Sequence, residues 1–209
     1  LIGFAQQSRP LPQTALPLLK SATSGPNTWL ITIGFPPAAS DNATEQWLTV
    51  NAFKATDTWI GNEVRLVRFS AAQPTTARPI GVTLGRDIRL VAVNFIPALQ
   101  PAQTLPVELT WQPLNQPQTD YNLFLQLLTP AGTLVAQHDN PPGGGYAPTS
   151  SWQPGQQILD RHALVLPPDL QPNLYRLIAG LYDPQTGQRL PVSSTADFVE
   201  LGTINIVQP

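Results

Sequence analysis

The sequence predicts a mainly β protein: an antiparallel β-sandwich of immunoglobulin-like or jelly-roll type, with a small α/β segment at its N-terminus. Three observations lead there. After about residue 78, short runs alternate apolar and polar residues with a period of two. Between the runs fall many of the 24 prolines and 14 glycines, which read as turn punctuation rather than a disordered tract. Helix signals are confined mostly to the first 60 residues.

The elements follow in chain order. "WLITIGF" (Trp29 to Phe35) is a β-rich run closed by Pro36 and Pro37. In "SDNATEQWLTVNAF", Asn42 can cap the next turn and Glu45 can reach back to it, so a helix is expected at about 43–53, burying Trp47, Val50 and Phe53. "ATDTWIG" and "EVRLVRFS" form two strands turning at Gly61-Asn62. Such a fragment is too small to enclose a core, so residues 1–70 should dock on the 78–209 sandwich, with "SAAQPTTARP" (Ser70 to Pro79) as the boundary. "RDIRLVAVNF" opens the all-strand region. "TLPVELTWQ" puts Leu105, Val107, Leu109 and Trp111 on one face. "YNLFLQLLT" does the same with Tyr121, Leu123, Leu125 and Leu127, but Phe124 and Leu128 lie on its other face, so this strand is covered on both sides. "TLVAQHD", "QILDRHALVL", "LYRLIAGLYD" and "VELGTINIV" complete the set, and "YDPQTGQRL" reads as a hairpin with a glycine bulge at Gly187.

Composition excludes several classes of function. A net charge of −2 gives no electrostatic case for nucleic acid or an anionic membrane surface. With no cysteine, disulfides, thiol catalysis and thiolate metal sites are ruled out. The chain also lacks methionine and so has no initiator, from which a fragment or processed product is expected. No apolar run is long enough to span a bilayer.

Reactive constellations are sparse. There is no G-x-S-x-G elbow, phosphate-binding loop or dinucleotide fingerprint, and Gly143-Gly144-Gly145 reads as a flexible loop tip. His138 and His162 each lie near a carboxylate, Asp139 and Asp160 respectively. They could share a metal only if their strands pair; otherwise each imidazole bonds to backbone at a sheet end. Asp139 and Asp160 could form the carboxylate pair of a glycoside hydrolase, and with Asn140 they could supply calcium ligands, although turn capping explains all three. Tyr146, Trp152, Trp111 and Tyr182 are the aromatics available to stack on sugars, with Trp111 placed in the core. Asn42-Ala43-Thr44 matches a glycosylation sequon but sits at the helix start, so the match is taken as chance.

"HDNPPGGGYAPTSSWQPG" (His138 to Gly155) poses a choice of its own. As a structured tether, 139–156 is held extended by its prolines, with Trp152 plugging the sandwich end and Thr149, Ser150 and Ser151 serving the loop's own backbone. As a sugar platform, it exposes Tyr146 and Trp152 side by side.

The stretch Tyr121 to Val192, through "DYNLFLQLL", "GTLVAQHDNPPGGGYAPTSSWQPGQQILDRHALVLPP" and "YRLIAGLYDPQTGQRLPV", resembles the C-terminal extracytoplasmic domain of bacterial polytopic membrane glycosyltransferases of family 39, relatives of the protein O-mannosyltransferases. The segment from Trp29 to Ser70 resembles what precedes that domain. "PNLYRL" departs mildly from the family's more usual Pro-Gly-Thr-Tyr turn. The resemblance implies a site outside the cytoplasm, on the cell membrane, tethered through an upstream membrane region. It implies the transmembrane portion of the parent protein as partner, and a glycan, acceptor or neighbouring subunit to be bound or positioned. The family's catalytic acidic residues lie in transmembrane-portion loops outside this chain, so it implies no catalytic residue and no cofactor here. Any ligand would fall to Tyr146, Trp152, Asp139 and Asp160. The alternatives are a stand-alone glycoside hydrolase-like enzyme using Asp139 and Asp160, and a purely structural spacer.

Overall fold

The structure is a computed structural model that describes residues 15–23, 25, 27–34 and 36–208. Phe35, at the end of the first β-rich run, lies outside the described residues. The elements are α1 (Ala15–Ala22), β1 (Asn27–Ile33), α2 (Ala43–Asn51), β2 (Phe53–Ile60), β3 (Val64–Ser70), β4 (Thr76–Leu84), β5 (Ile88–Phe95), β6 (Ala98–Leu99), β7 (Thr104–Pro113), β8 (Asn122–Leu128), β9 (Leu134–Asn140), β10 (Ile158–Val165), β11 (Asn173–Tyr182) and β12 (Val199–Ile206). Among the described residues they build two sheets, one of seven strands in the order β1-β3-β2-β10-β7-β5-β4 and one of five in the order β6-β12-β11-β8-β9. The expected β-sandwich is present. Its pairings are antiparallel except β2 with β10 and β6 with β12.

The alternation of "TLPVELTWQ" works as expected: Leu105, Val107, Leu109 and Trp111 are all fully buried between the sheets. They meet Leu123, Leu125 and Leu127 of β8 and Leu177, Ala179 and Leu181 of β11 in one continuous core. Strand β8 lies inside its sheet and is covered on both faces. Its outer-face Phe124 is buried beneath the Arg189 guanidinium, 4.0 Å above the ring. The Tyr182 to Leu190 turn forms with Gly187 at φ 73°, but it closes on a lone bridge, Tyr182 to Arg189, rather than a hairpin of strands.

Residues 27–70 do more than dock. Strands β1, β3 and β2 extend the seven-stranded sheet, joined to the sandwich through the parallel contact of Lys54 with His162. On one face of this extension Leu48 and Ala52 pack on Val67 and Phe69, with Leu30 and Trp47 partly buried against them. Helix α2 differs from expectation in the face it buries. Val50 is 63% exposed, Trp47 is half-buried, and Phe53 is the first residue of β2, because Ala52 already has extended backbone. The buried face is instead Thr44, Glu45, Leu48 and Thr49, with Glu45 held there by ion pairs.

Strands β8 and β11 approach closely at Gly180, where an added Cβ would strike the Phe124 ring. The ring is pinned by Arg189 and cannot swing away without breaking that contact. Gly180→Ala should therefore cost about 1–3 kcal/mol, lowering the melting temperature by several degrees. Differential scanning calorimetry would show this, and an unchanged melting temperature would contradict it.

Candidate functional site

Ionisable groups are scarce in this chain, yet several are buried together where the N-terminal strands meet the sandwich. Glu45 of α2, Lys54 and Asp57 of β2 and Arg65 of β3 form a quartet of two carboxylates and two cations. The Arg65 guanidinium bridges both carboxylates, with Nη1 3.0 Å from Glu45 Oε2 and Nε 2.7 Å from Asp57 Oδ1. Lys54 Nζ is 2.6 Å from Asp57 and 3.6 Å from Glu45. Glu45 also accepts from the Asn42 side-chain amide, and its own amide donates to Asn42 Oδ1, so the expected cap is formed. Burial alone would lower the pKa of Arg65, but hydrogen bonds and charge from Asp57 and Glu45 more than reverse this and hold it above the usual arginine value. Burial would raise Asp57, and Arg65 and Lys54 outweigh it, so its carboxyl stays below the usual range.

A second cluster continues the first into the sandwich. Asp160 and His162 of β10 lie on the core face, fully buried. Asp160 Oδ1 is 2.6 Å from His162 Nε2 and accepts from the Gly143 amide at 2.8 Å, while Oδ2 accepts from the Trp111 indole at 3.1 Å. Burial acts to raise this carboxyl; His162, Gly143 and Trp111 bring it below its usual value. The His138 ring of β9 stands 5.4 Å from that of His162 across the gap between the sheets. It donates to the Ala55 backbone, and its Nε2 has no partner. Burial, then the nearby His162 and Lys54, push the His138 pKa down to about 3.

The long loop seals this region. It leaves the five-stranded sheet after Asn140 and enters the seven-stranded one at Ile158, as the tether reading expects. Trp152 is 1% exposed, stands 6.4 Å from Trp111, and donates its indole N–H to the Ala147 carbonyl. The glycine triplet is no flexible tip. Gly143 and Gly144 adopt left-handed backbone in a short 3-10 turn, with Gly143 bonded to Asp160 and Gly144 tucked against Thr49 and Lys54. A Cβ at Gly144 would strike Thr49, so the close approach requires glycine. Thr149 also departs from expectation: its hydroxyl donates to Thr119 O and accepts from Tyr121 N, stitching the loop to its neighbour rather than to itself. Ser151 does serve the loop, donating to Pro148 O.

The sequence-predicted site residues are thus dispersed. Asp160 and Trp152 are core. Tyr146 is half-buried with its hydroxyl on Ala39 O, 3.2 Å away; burial and then the Glu45 carboxylate raise its pKa. Asp139 points to the opposite face of β9 from His138, where burial raises its carboxyl despite the Tyr182 hydroxyl and Arg189. Asp139 and Asp160 therefore face different surroundings and share no partner. The histidine strands do not pair, since β9 and β10 belong to different sheets, although the rings meet. Among the described residues, no group of three or more metal-ligating side chains converges. Asn42 of the sequon is buried and occupied as a helix cap.

Sequence reading gave no pointer to the open feature. A cavity of about 340 Å³ lies between the end of β3, the start of β1 and the 96–104 segment. Arg68, Asn27, Gln103 and Thr104 supply polar groups, and Ile96 and Leu99 an apolar wall. The Arg68 guanidinium donates to Asn27 Oδ1 and Thr104 Oγ1, each at 2.9 Å, and lies 5.9 Å from the centre of the exposed Trp29 ring. Its signal in the sequence was only an arginine in an alternating strand, which ordinarily marks a solvated face.

No protein-family model matches the chain, and no curated protein matches it in sequence. Among solved structures, it is similar to the CARDB domain of a Pyrococcus furiosus protein in complex with di-metal ions (TM-score 0.36, 10% identity, 56% of this chain and 90% of that one). It is also similar to the C-terminal domain of wzt (TM-score 0.37, 16% identity, 64% of this chain and 78% of that one). A third is a calcium-binding mutant of Bacteroides uniformis beta-glucuronidase 2 (TM-score 0.34, 16% identity, 61% of this chain and 14% of that one). At such identities and scores, none of them bears on what this chain binds or does.

Two outcomes follow from the buried network. Glu45→Ala leaves Arg65 and Lys54 with one carboxylate between them, and should cost about 3–5 kcal/mol in urea unfolding. Below pH 6.5 the unfolded chain protonates His138, whereas the folded chain does so only near pH 3. Stability from this group is therefore full above pH 6.5 and is lost progressively as the pH falls toward 3. Asp160, held below its usual value, acts with the same sign at lower pH. Urea midpoints measured from pH 7.5 to 4.5 should fall, and His138→Gln should flatten the profile.

Proposed function

We propose that the chain is a non-catalytic, extracytoplasmic β-sandwich module of a membrane-bound, glycosyltransferase-like protein, and that it positions a glycan or acceptor at the Arg68 cavity. The observation that carries this reading is the state of Asp160. Both its oxygens are taken by donors inside a sealed core, so the residue best placed for acid–base work has no route to a substrate. A glycoside hydrolase needs two carboxyl groups flanking one bond, and Asp139 and Asp160 do not face a common space. The resemblance of Tyr121 to Val192 supplies the cellular setting, with chemistry left to the membrane portion of the parent.

The Arg68 cavity has the chemistry of recognition without that of reaction. A guanidinium and two side-chain amides offer hydrogen bonds to hydroxyl or carboxylate oxygens, Ile96 and Leu99 offer an apolar wall, and Trp29 stands at its side as a stacking surface. Titration of the purified chain with neutral and uronate-bearing oligosaccharides, followed by tryptophan fluorescence, tests the reading. Saturable binding, weakened roughly 10- to 100-fold by Arg68→Ala, is expected. No binding by any oligosaccharide would leave the spacer reading in its place. Release of reducing sugar, abolished by Asp160→Asn, would establish the hydrolase reading.

A further inference from the structure

The side chains that line the Arg68 cavity have their acceptors engaged and many of their donors unused. Arg68 donates Nε to Asn27 Oδ1 and Nη2 to Thr104 Oγ1, so both of those oxygens already accept. The Gln103 amide oxygen accepts from the Gln100 backbone amide at 2.8 Å, and the Ser70 hydroxyl oxygen accepts from the Ala72 amide at 3.3 Å. Against this, the donors remain. Arg68 keeps Nη1 and the second N–H of Nη2, Asn27 and Gln103 keep their amide NH2 groups, and Ser70 and Thr104 keep their hydroxyl protons. None of these is spent on a partner among the described residues.

Charge points the same way. No aspartate or glutamate lines the cavity. Elsewhere Lys54 and Arg65 meet Glu45 and Asp57, Arg161 meets Glu108, Arg176 meets Glu200 and Arg189 meets Asp197. Arg68 bonds only to neutral acceptors, so no carboxylate among the described residues balances it.

A sugar hydroxyl both donates and accepts, and in such a cavity its own proton is poorly served. An ionised carboxylate only accepts, and its two oxygens match the edge of a guanidinium. One cation balances one negative charge, which favours a carboxylate over a doubly charged phosphate. Ile96 and Leu99 offer an apolar wall to the C–H face of a sugar ring. At about 340 Å³ the cavity lies within the roughly 300–1,000 Å³ of small-molecule sites.

We infer that the Arg68 cavity takes an acidic sugar residue, a uronate whose carboxylate sits on the unused N–H groups of Arg68. The inference rests on the glycan reading and narrows it to anionic glycans.

Calorimetric titration of the purified chain with oligomers of galacturonate, glucuronate and mannuronate, each beside its methyl ester, tests the inference. At least one acid should bind, with its ester roughly 10- to 100-fold weaker. Gln103 is exposed, and Gln103→Glu keeps the oxygen that holds the Gln100 amide while replacing a donor with a negative charge. It should leave the melting temperature unchanged and weaken the acid about tenfold, without weakening the ester. Esters or neutral oligosaccharides that bind as tightly as the acids, and are weakened by Arg68→Ala, overturn the inference and leave the glycan reading standing. So does tighter binding by a sugar phosphate. An acid-over-ester preference that survives Arg68→Ala overturns the placement of the carboxylate. No binding by any oligosaccharide overturns both readings, whether or not oligoglutamate binds in their stead.

Discussion

The quartet of Glu45, Lys54, Asp57 and Arg65 is the interaction on which the rest of the structure depends. Two carboxylates and two cations taken from water would each be costly alone, and they are tolerated because each meets its opposite at hydrogen-bond distance. The arrangement fixes where α2 sits, since Glu45 must reach Arg65 on β3. It fixes where β2 sits, since Lys54 must reach Asp57 and Glu45 while pairing in register with His162 of β10. A hydrophobic contact of similar size would tolerate sliding; this one requires a particular alignment of helix, hairpin and sandwich.

A polar seam in the core lies next to this network. Apolar residues fill the space between the sheets over most of its extent. Where β9 faces β10 the filling changes to His138, His162 and Asp160, closed by the Gly143 amide and the Trp111 indole. The loop from Pro141 to Gln157 is the lid on that seam. Its glycines are there for close approach to Asp160, Thr49 and Lys54, and Trp152 supplies the apolar area that keeps it in place. The loop thus serves the interior, with Trp152 buried and Tyr146 half-buried.

On the proposed reading, function falls to the outside. Asp160 and His162 are bonded to each other within the fold, whereas the surface presents an arginine-bearing cavity and an exposed apolar face on β1. Both are features of recognition, which suits a module that holds other components in position.

Much of the fold was legible in the sequence. Period-two alternation located the strands of the sandwich, Gly61-Asn62 marked the β2–β3 turn, Asn42 and Glu45 marked the helix start, and the ends of the long loop fell within a residue of their places. These are local matters, decided by backbone propensity and by which side of a strand is apolar. The face buried by α2, the parallel pairing of β2 with β10, the contact of Gly143 with Asp160 and the cavity at Arg68 were not legible. Each depends on side chains or backbone groups far apart in the chain meeting in space, Lys54 with His162 or Glu45 with Arg65. A charged residue in a sequence reads as solvated until its partner is known. The sequence by itself determined where strands form and which faces are apolar. Only the tertiary structure decided which charges are buried, because the cost of burying a charge is offset only by a partner that folding brings to it.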